Sequence, residues 1–177
     1  MAEEQISEAI AQLTPRVPEP CTVEIFRRSI PGDVKIWYWV AETHPSGDVP
    51  VPDPVSVIGW DQGYYVVVYV QLQDAVRRHL CGSLCVDIDV DTCGPSPDLQ
   101  FEEKHIKLDP CGNGWYSVYF SLPPNTFAPA PEFPNRCGRI YRVCVTIGSH
   151  DECGRPGLIW AHCDTFDLAV HPPVGNP

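Results

Sequence analysis

The sequence has few features of a protein that acts on nucleic acid or within a membrane. Its 177 residues include 12 basic and 23 acidic side chains, giving a formal net charge of −11, and the basic residues form no dense stripe along any predicted element. We therefore expect no nucleic-acid partner, because binding to phosphates depends on clustered Lys and Arg. The longest apolar run, around Tyr64 to Val70, is far shorter than the roughly 20 residues of a membrane helix, so we expect no membrane span.

The N-terminus lacks the pattern of a secretory signal. Glu3, Glu4 and Glu8 lie where a basic segment and a continuous apolar segment would be needed. This pattern indicates a protein that is cytoplasmic or exported by a non-classical route, and the sequence leaves the compartment open.

Motifs that identify catalytic or metal sites are also lacking. A nucleophilic Cys or Ser needs an oriented histidine and a distinctive turn, and no such motif occurs. The tight C-x2-C spacing that is typical of zinc sites is absent as well. The weak candidates for a zinc site would need two loops to meet, and they are His150, Cys153, His162 and Cys163. The sequence therefore predicts a protein without catalytic activity or cofactor, and a metal- or cysteine-dependent enzyme is the least favoured alternative.

Cysteine is the most unusual component of the chain. The nine cysteines are an odd number, so at least one thiol is unpaired within a monomer. Disulfides, thiols and metal ligands all stay open, because spacing alone does not give a pairing. The candidates for disulfides lie in predicted loops or in the last two strands, and they are Cys81, Cys93, Cys111, Cys137, Cys144, Cys153 and Cys163. Cys144 and Cys163 could bond to each other or pack as small apolar groups.

Alternation of apolar and polar residues predicts a fold built almost wholly from strands. The 20 prolines fall between apolar runs, as is typical of short strands separated by turns. No helical segment is long enough for a parallel crossover. We therefore predict an all-β, antiparallel two-sheet sandwich of about eight strands, immunoglobulin-like or jelly-roll-like, over residues 21–172. The Tyr141-Arg142-Val143 step resembles the tyrosine corner of immunoglobulin-like sandwiches, a likeness of fold that implies no activity.

The early strands have local signals. Val34 to Ala41 predicts a strand with apolar residues on both faces. Val55 to Trp60 and Tyr64 to Leu72 predict a hairpin that turns through Asp61-Gln62-Gly63.

The later strands show a clearer inner and outer face. Leu84 to Val90 predicts a half-buried strand whose outer face carries the aspartates of positions 87, 89 and 91. Two further strands are predicted to point these residues inward: Tyr116, Val118, Phe120, Leu122 and Tyr141, Val143, Val145, Ile147. Leu158 to Val170 predicts the last strand, with a bulge near Asp164 where the apolar parity changes. Residues 173–177 form a short tail.

Two apolar surfaces indicate a protein partner. Ile6, Ile10 and Leu13 share one face of a short predicted helix, within an N-terminal arm and proline-rich spacer over residues 1–20. Trp37 and Trp39 lie on the side of their strand opposite the predicted core. We expect these five residues to be buried between chains. The predicted function is a non-catalytic structural or interaction module that self-associates or is a subunit of a larger assembly.

The aromatic residues also support an alternative. Rings on a flat sheet could stack on sugars, which would make the domain a carbohydrate-binding sandwich. The aromatic residues in question are Trp37, Trp39, Trp60, Trp115, Trp160, Tyr65 and Tyr69. The same residues could simply be core, since sandwich cores contain many aromatic side chains.

Overall fold

The computed structural model describes residues 21–22, 33–42, 54–92, 99–127, 139–163 and 166–171. In chain order the strands are β1 (Cys21–Thr22), β2 (Val34–Ala41), β3 (Pro54–Val55), β4 (Val57–Gly59), β5 (Tyr64–Leu72), β6 (Ser83–Thr92), β7 (Leu99–Gln100), β8 (Lys104–Lys107), β9 (Trp115–Leu122), β10 (Arg139–His150), β11 (Pro156–His162) and β12 (Phe166–His171). A single helical turn, α1 (Asp74–Arg77), covers part of the segment between β5 and β6.

The strands form two sheets. The first has the order β1-β2-β5-β9, with β3 also paired to β2. The second has the order β4-β12-β10-β6-β7, with β11 also paired to β10 and β8 to β6. Pairing among the described strands is antiparallel except between β4 and β12, which are parallel. Seven of these strands are six residues or longer, and the predicted two-sheet sandwich is confirmed.

The core lies between the sheets and takes alternate residues from each. Ile36 and Val68 of the first sheet and Ile88 and Val145 of the second are fully buried in one apolar cluster. Each such side chain contributes about 1.5–3 kcal/mol relative to exposure. The predicted inward residues of β10 are all buried, and those of β9 are buried or partly buried. Alternation therefore identified the inner faces of both strands correctly.

The predicted hairpin of Val55–Trp60 with Tyr64–Leu72 is wrong. The first segment divides into β3, which pairs with β2, and β4, which pairs with β12 in the other sheet. Gly59 and Tyr64 still lie at a turn, because the Gly59 N–H donates to the Tyr64 hydroxyl at 3.0 Å. This turn leads from the second sheet to the first, and apolar alternation does not distinguish such a connection from a hairpin.

The end of the chain forms two strands along one edge of β10. β11 pairs with the C-terminal half of β10, and β12 pairs with its N-terminal half. Ile159 and Ala161 are buried before the interruption, and Leu168 and Val170 after it, so the predicted change of parity is present. The bulge predicted near Asp164 lies outside the described residues.

Several other predictions fall on residues that the structure does not describe. These residues are Ile6, Ile10, Leu13, Cys93, Cys137 and the tail at 173–177. No helix of the described segments is long and apolar enough to cross a membrane.

Candidate functional site

The outer face of the second sheet carries polar and reactive side chains. Its inner positions are filled by the core, so alternate residues of β6, β8, β10 and β11 face away from the first sheet. The strand register places His105, Cys85, Gly148 and Trp160 opposite one another in one row across these four strands. The row brings together residues from distant parts of the chain.

Gly148 leaves the middle of this row open. A Cβ atom added at this position would meet no other atom within 4 Å. A cleft of about 700 Å³ lies over it, and its walls include Cys85, His150 and Trp160 as well as the acidic Asp87. The Trp160 side chain is 51% exposed. The cleft thus has a thiol and imidazole on one side and an exposed indole on the other.

Two imidazoles contact the Cys85 thiol. The Cys85 Sγ atom lies 3.1 Å from His105 Nδ1 and 2.9 Å from His150 Nδ1. A thiol has one proton to donate, so at least one of these imidazoles must instead donate its N–H to the sulfur. His105 Nε2 lies 3.0 Å from Glu103 Oε1, which orients the ring. Ligand atoms of Cys85, Glu103 and His105 all lie within 4.8 Å of one another.

The electrostatics of the cleft disfavour a reactive thiolate. Burial, followed by the charge and hydrogen bond of Glu103, raises the pKa of the Cys85 thiol. Burial also raises the pKa of Asp87, with the negative charge of Asp89 adding to the effect. A nucleophilic cysteine has its pKa lowered by nearby positive charge, and the opposite holds here. This acidic surrounding favours a bound cation instead.

A second thiol and imidazole lie nearby on the same face. Cys144 Sγ is 3.4 Å from His162 Nε2 and donates a hydrogen bond to the Cys163 carbonyl at 3.3 Å. The His162 ring stacks on Trp160 at a centroid distance of 6.3 Å. The imidazole of His162 therefore lies behind the indole that lines the cleft.

The structure does not bring the four predicted zinc ligands together. His150 contacts Cys85, His162 contacts Cys144, and Cys163 is fully buried in the core. Cys153 is exposed in the turn between β10 and β11, where its N–H donates to Asp151 Oδ1. Backbone hydrogen bonds and the Arg155 side chain lower the pKa of this aspartate. Alternation separates the set, because His162, the last residue of β11, and Cys163, which follows it, point to opposite sides of the chain.

The six cysteines whose side chains the structure describes are all thiols. Cys81, Cys111 and Cys153 are exposed and free, while Cys144 and Cys163 are buried thiols. The last two lie on adjacent strands but on opposite faces of the sheet, so a bond between them is excluded by geometry. The disulfides predicted for these five positions are therefore not supported.

The outer face of the first sheet carries the predicted interaction tryptophans. Trp39 is 2% exposed and stacks on Tyr69 at 5.1 Å, so a second chain is not needed to bury it. Trp37 is half-buried and stacks on Trp115 at 5.5 Å. Contact of Trp37 with a partner stays a prediction, as does stacking of a sugar on Trp160.

The β9 strand forms one edge of the first sheet. It pairs with β5 over its eight residues, and no other strand of the described segments pairs with it. Its sequence contains no charged residue and no proline. The Tyr119 side chain is 41% exposed and meets Tyr65 edge to face. β9 is thus a long, uncharged edge with an exposed ring near its centre.

No protein-family model matches the sequence, and no curated protein matches it. Among solved structures, the chain is similar to the β-glucosidase from Listeria innocua in complex with glucose, with a TM-score of 0.44 and 11% identity over 79% of this chain. The matched region is 16% of the glucosidase chain, so this protein spans a small part of that enzyme. The chain is also similar to AggA, the major subunit of aggregative adherence fimbriae type I from Escherichia coli, with a TM-score of 0.42 and 9% identity. That match covers 82% of this chain and 99% of AggA. TM-scores of 0.42 and 0.44 with identities of 9% and 11% assign no function to this chain.

Proposed function

We propose that the protein is a non-catalytic assembly module whose β9 strand pairs with β9 of a second copy. The observation that carries the proposal is the uncharged, proline-free edge of β9, which no other described strand covers. An edge strand presents a row of backbone N–H and C=O groups that can pair with another chain. Pairing of this kind joins the first sheets of two molecules into one.

The composition of β9 favours pairing over protection. Proteins that keep their edges apart place lysine, proline or bulges on them, and β9 has neither charge nor proline over eight residues. Other edges are less suited: β1, β3 and β7 are two residues long, β4 is three, and β8 carries two lysines in its four residues. β11 begins at Pro156, which cannot donate to a ladder. Length and composition therefore single out β9 among the described edges.

A twofold axis gives the simplest arrangement. Directly opposed residues in an antiparallel pair lie on the same face, so an axis at Tyr119 would continue the outer row of Ser117, Tyr119 and Ser121 from one chain into the other. The two Tyr119 rings would then lie opposite each other. Aromatic pairs across strands stabilise a sheet by up to about 1 kcal/mol, whereas like charges in that position destabilise it.

The test is Tyr119→Lys, which places two positive charges opposite each other at the axis. We expect the wild-type protein to form dimers at micromolar concentration and the variant to dissociate at least about tenfold more readily, a change of ~1.4 kcal/mol. Sedimentation equilibrium or light scattering over a concentration series gives both dissociation constants.

Ile140→Lys is the matched control. Ile140 is another exposed large apolar residue, at 53%, and it lies on β10 of the second sheet. Its replacement also removes an exposed apolar side chain and makes the same gain of charge, but away from β9, so the dimer should persist. A monomeric wild type, or equal loss of association in both variants, would count against the proposal.

A further inference from the structure

The Cys85 cluster has the composition and geometry of a metal site. A thiol sulfur, an imidazole nitrogen and a carboxylate oxygen, from Cys85, His105 and Glu103, converge within 4.8 Å. We propose that these three residues bind one zinc ion at the margin of the cleft. This site is separate from the β9 edge and does not depend on the proposed assembly.

Strand pairing fixes two of the three ligands, and the third directly precedes the paired strand. Cys85 on β6 lies directly opposite His105 on β8 in the antiparallel register. Glu103 precedes His105 by two residues, the spacing that places both side chains on one face of an extended chain. The backbone ladder therefore presents the thiol and the imidazole on the outer face, and Glu103 reaches them from the residue directly before β8.

The donor set favours zinc over harder cations. Ca²⁺ and Mg²⁺ take oxygen ligands, whereas Zn²⁺ combines thiolate, imidazole and carboxylate in tetrahedral sites. Zinc bonds of about 2.3 Å to sulfur and about 2.0 Å to nitrogen place these two atoms about 3.5 Å apart. The Cys85 Sγ to His105 Nδ1 distance is 3.1 Å, so a small outward movement of the 61% exposed His105 side chain makes room for the ion. The Glu103 carboxylate, which lies 3.0 Å from His105 Nε2, must also turn toward the sulfur to become a ligand.

The surroundings supply charge and a supporting hydrogen bond. His150 Nδ1, 2.9 Å from Cys85 Sγ, can donate its proton to the sulfur once the thiol has ionised. Asp87 lines the same cleft and adds negative charge that attracts the cation. Three protein ligands leave the fourth tetrahedral position for a water molecule, which can complete the site.

Cobalt titration tests the site directly. The reduced full-length protein is stripped with a chelator and titrated with Co²⁺, whose thiolate charge-transfer band and visible bands report a tetrahedral sulfur-containing site. We expect saturation at one equivalent, with loss of the signal when Zn²⁺ is added. Cys85→Ser should abolish the charge-transfer band, while His105→Ala and Glu103→Gln should weaken binding by at least about 10- to 100-fold.

The controls separate this site from adventitious binding by other cysteines. His105 and Glu103 are half-exposed, so their variants should fold even if loss of the buried Cys85 thiol perturbs the protein. Cys144→Ser removes the thiol of the other cysteine–histidine pair and should leave the cobalt spectrum unchanged. The proposal is overturned if wild type binds no stoichiometric cobalt, or if the band survives Cys85→Ser, or if His105→Ala and Glu103→Gln leave the affinity unchanged.

Discussion

Adding a Cβ atom should have very different effects at Gly82 and at Gly148. Gly82 precedes β6 with φ of +99°, and a Cβ atom there would overlap the carbonyl oxygen of His150. Gly148 has open space where its Cβ atom would lie. We expect Gly82→Ala to lower the free energy of unfolding by at least about 2 kcal/mol, because a side chain is strained at positive φ and the backbone must also shift.

Urea denaturation measures this difference, and Gly148→Ala is its control. The second variant should change the free energy of unfolding by no more than about 0.5 kcal/mol. The two variants could instead have equal urea midpoints, with the same dependence of the free energy of unfolding on urea concentration. The close approach of Gly82 to His150 would then make no contribution to stability.

For single residues, the sequence predicted which side chains point inward or outward, but it did not predict which side chains contact one another. Alternation placed Leu84 and Val86 inward, and by the same pattern Cys85 outward. The cluster of Cys85 with His105 and His150 was missed, because these residues lie 20 and 65 positions apart and meet only through the register of three strands. The Glu103-x-His105 spacing was the available signal, and it needed the neighbouring strand to be known.

The irregularity between β10 and β11 depends on a buried hydroxyl. Their register shifts between Gly148 and His150, and Ser149 Oγ accepts a hydrogen bond from the Ile159 N–H at 2.9 Å. The hydroxyl is the acceptor that satisfies this backbone group at the shift. Ser149→Ala leaves the buried Ile159 N–H without its partner, so we expect a loss of about 1–3 kcal/mol in the free energy of unfolding.

Ser121→Ala provides the comparison for this element. Ser121 is exposed on β9, and its replacement should change the free energy of unfolding by less than about 0.5 kcal/mol. If the two serine variants were equally stable, the strand irregularity would not depend on the hydroxyl.

Elements were predicted best where one strand is long and its faces differ. The bounds of β2 and β5 match the predicted segments, and the change of parity between β11 and β12 was visible in the apolar residues. The error lay in the connection from β4 to β5, because two apolar segments separated by a short turn can pair or can enter different sheets. Only the packing of the whole core decides between these outcomes.

For the whole molecule, the two-sheet architecture follows from composition and pattern together. Strands that bury both of their faces, such as β2 and β5, need cover on two sides, and the core between the sheets supplies one of these. The way in which the molecule associates could not be predicted from the same pattern. The proposed association depends on the edge strands of the sheets. Which strands lie at an edge follows from strand pairing, and the alternation of apolar and polar residues does not reveal that pairing.

Net charge gives the proposed β9 dimer a distinctive dependence on salt. Each chain carries a formal charge of −11, so two copies repel each other at long range, while β9 itself has no charged side chain. Salt shortens the screening length from about 30 Å at 0.01 M to about 3 Å at 1 M, which weakens this repulsion without weakening any ion pair between the β9 strands. We therefore expect the dissociation constant of the dimer, measured by sedimentation equilibrium, to fall as the salt concentration rises.

The Ile140→Lys control should follow the same trend from a slightly lower dissociation constant, because each of its chains is one unit less negative. A dimer that dissociates on addition of salt would instead be held by ion pairs, and an interface through the uncharged β9 edge could not account for it.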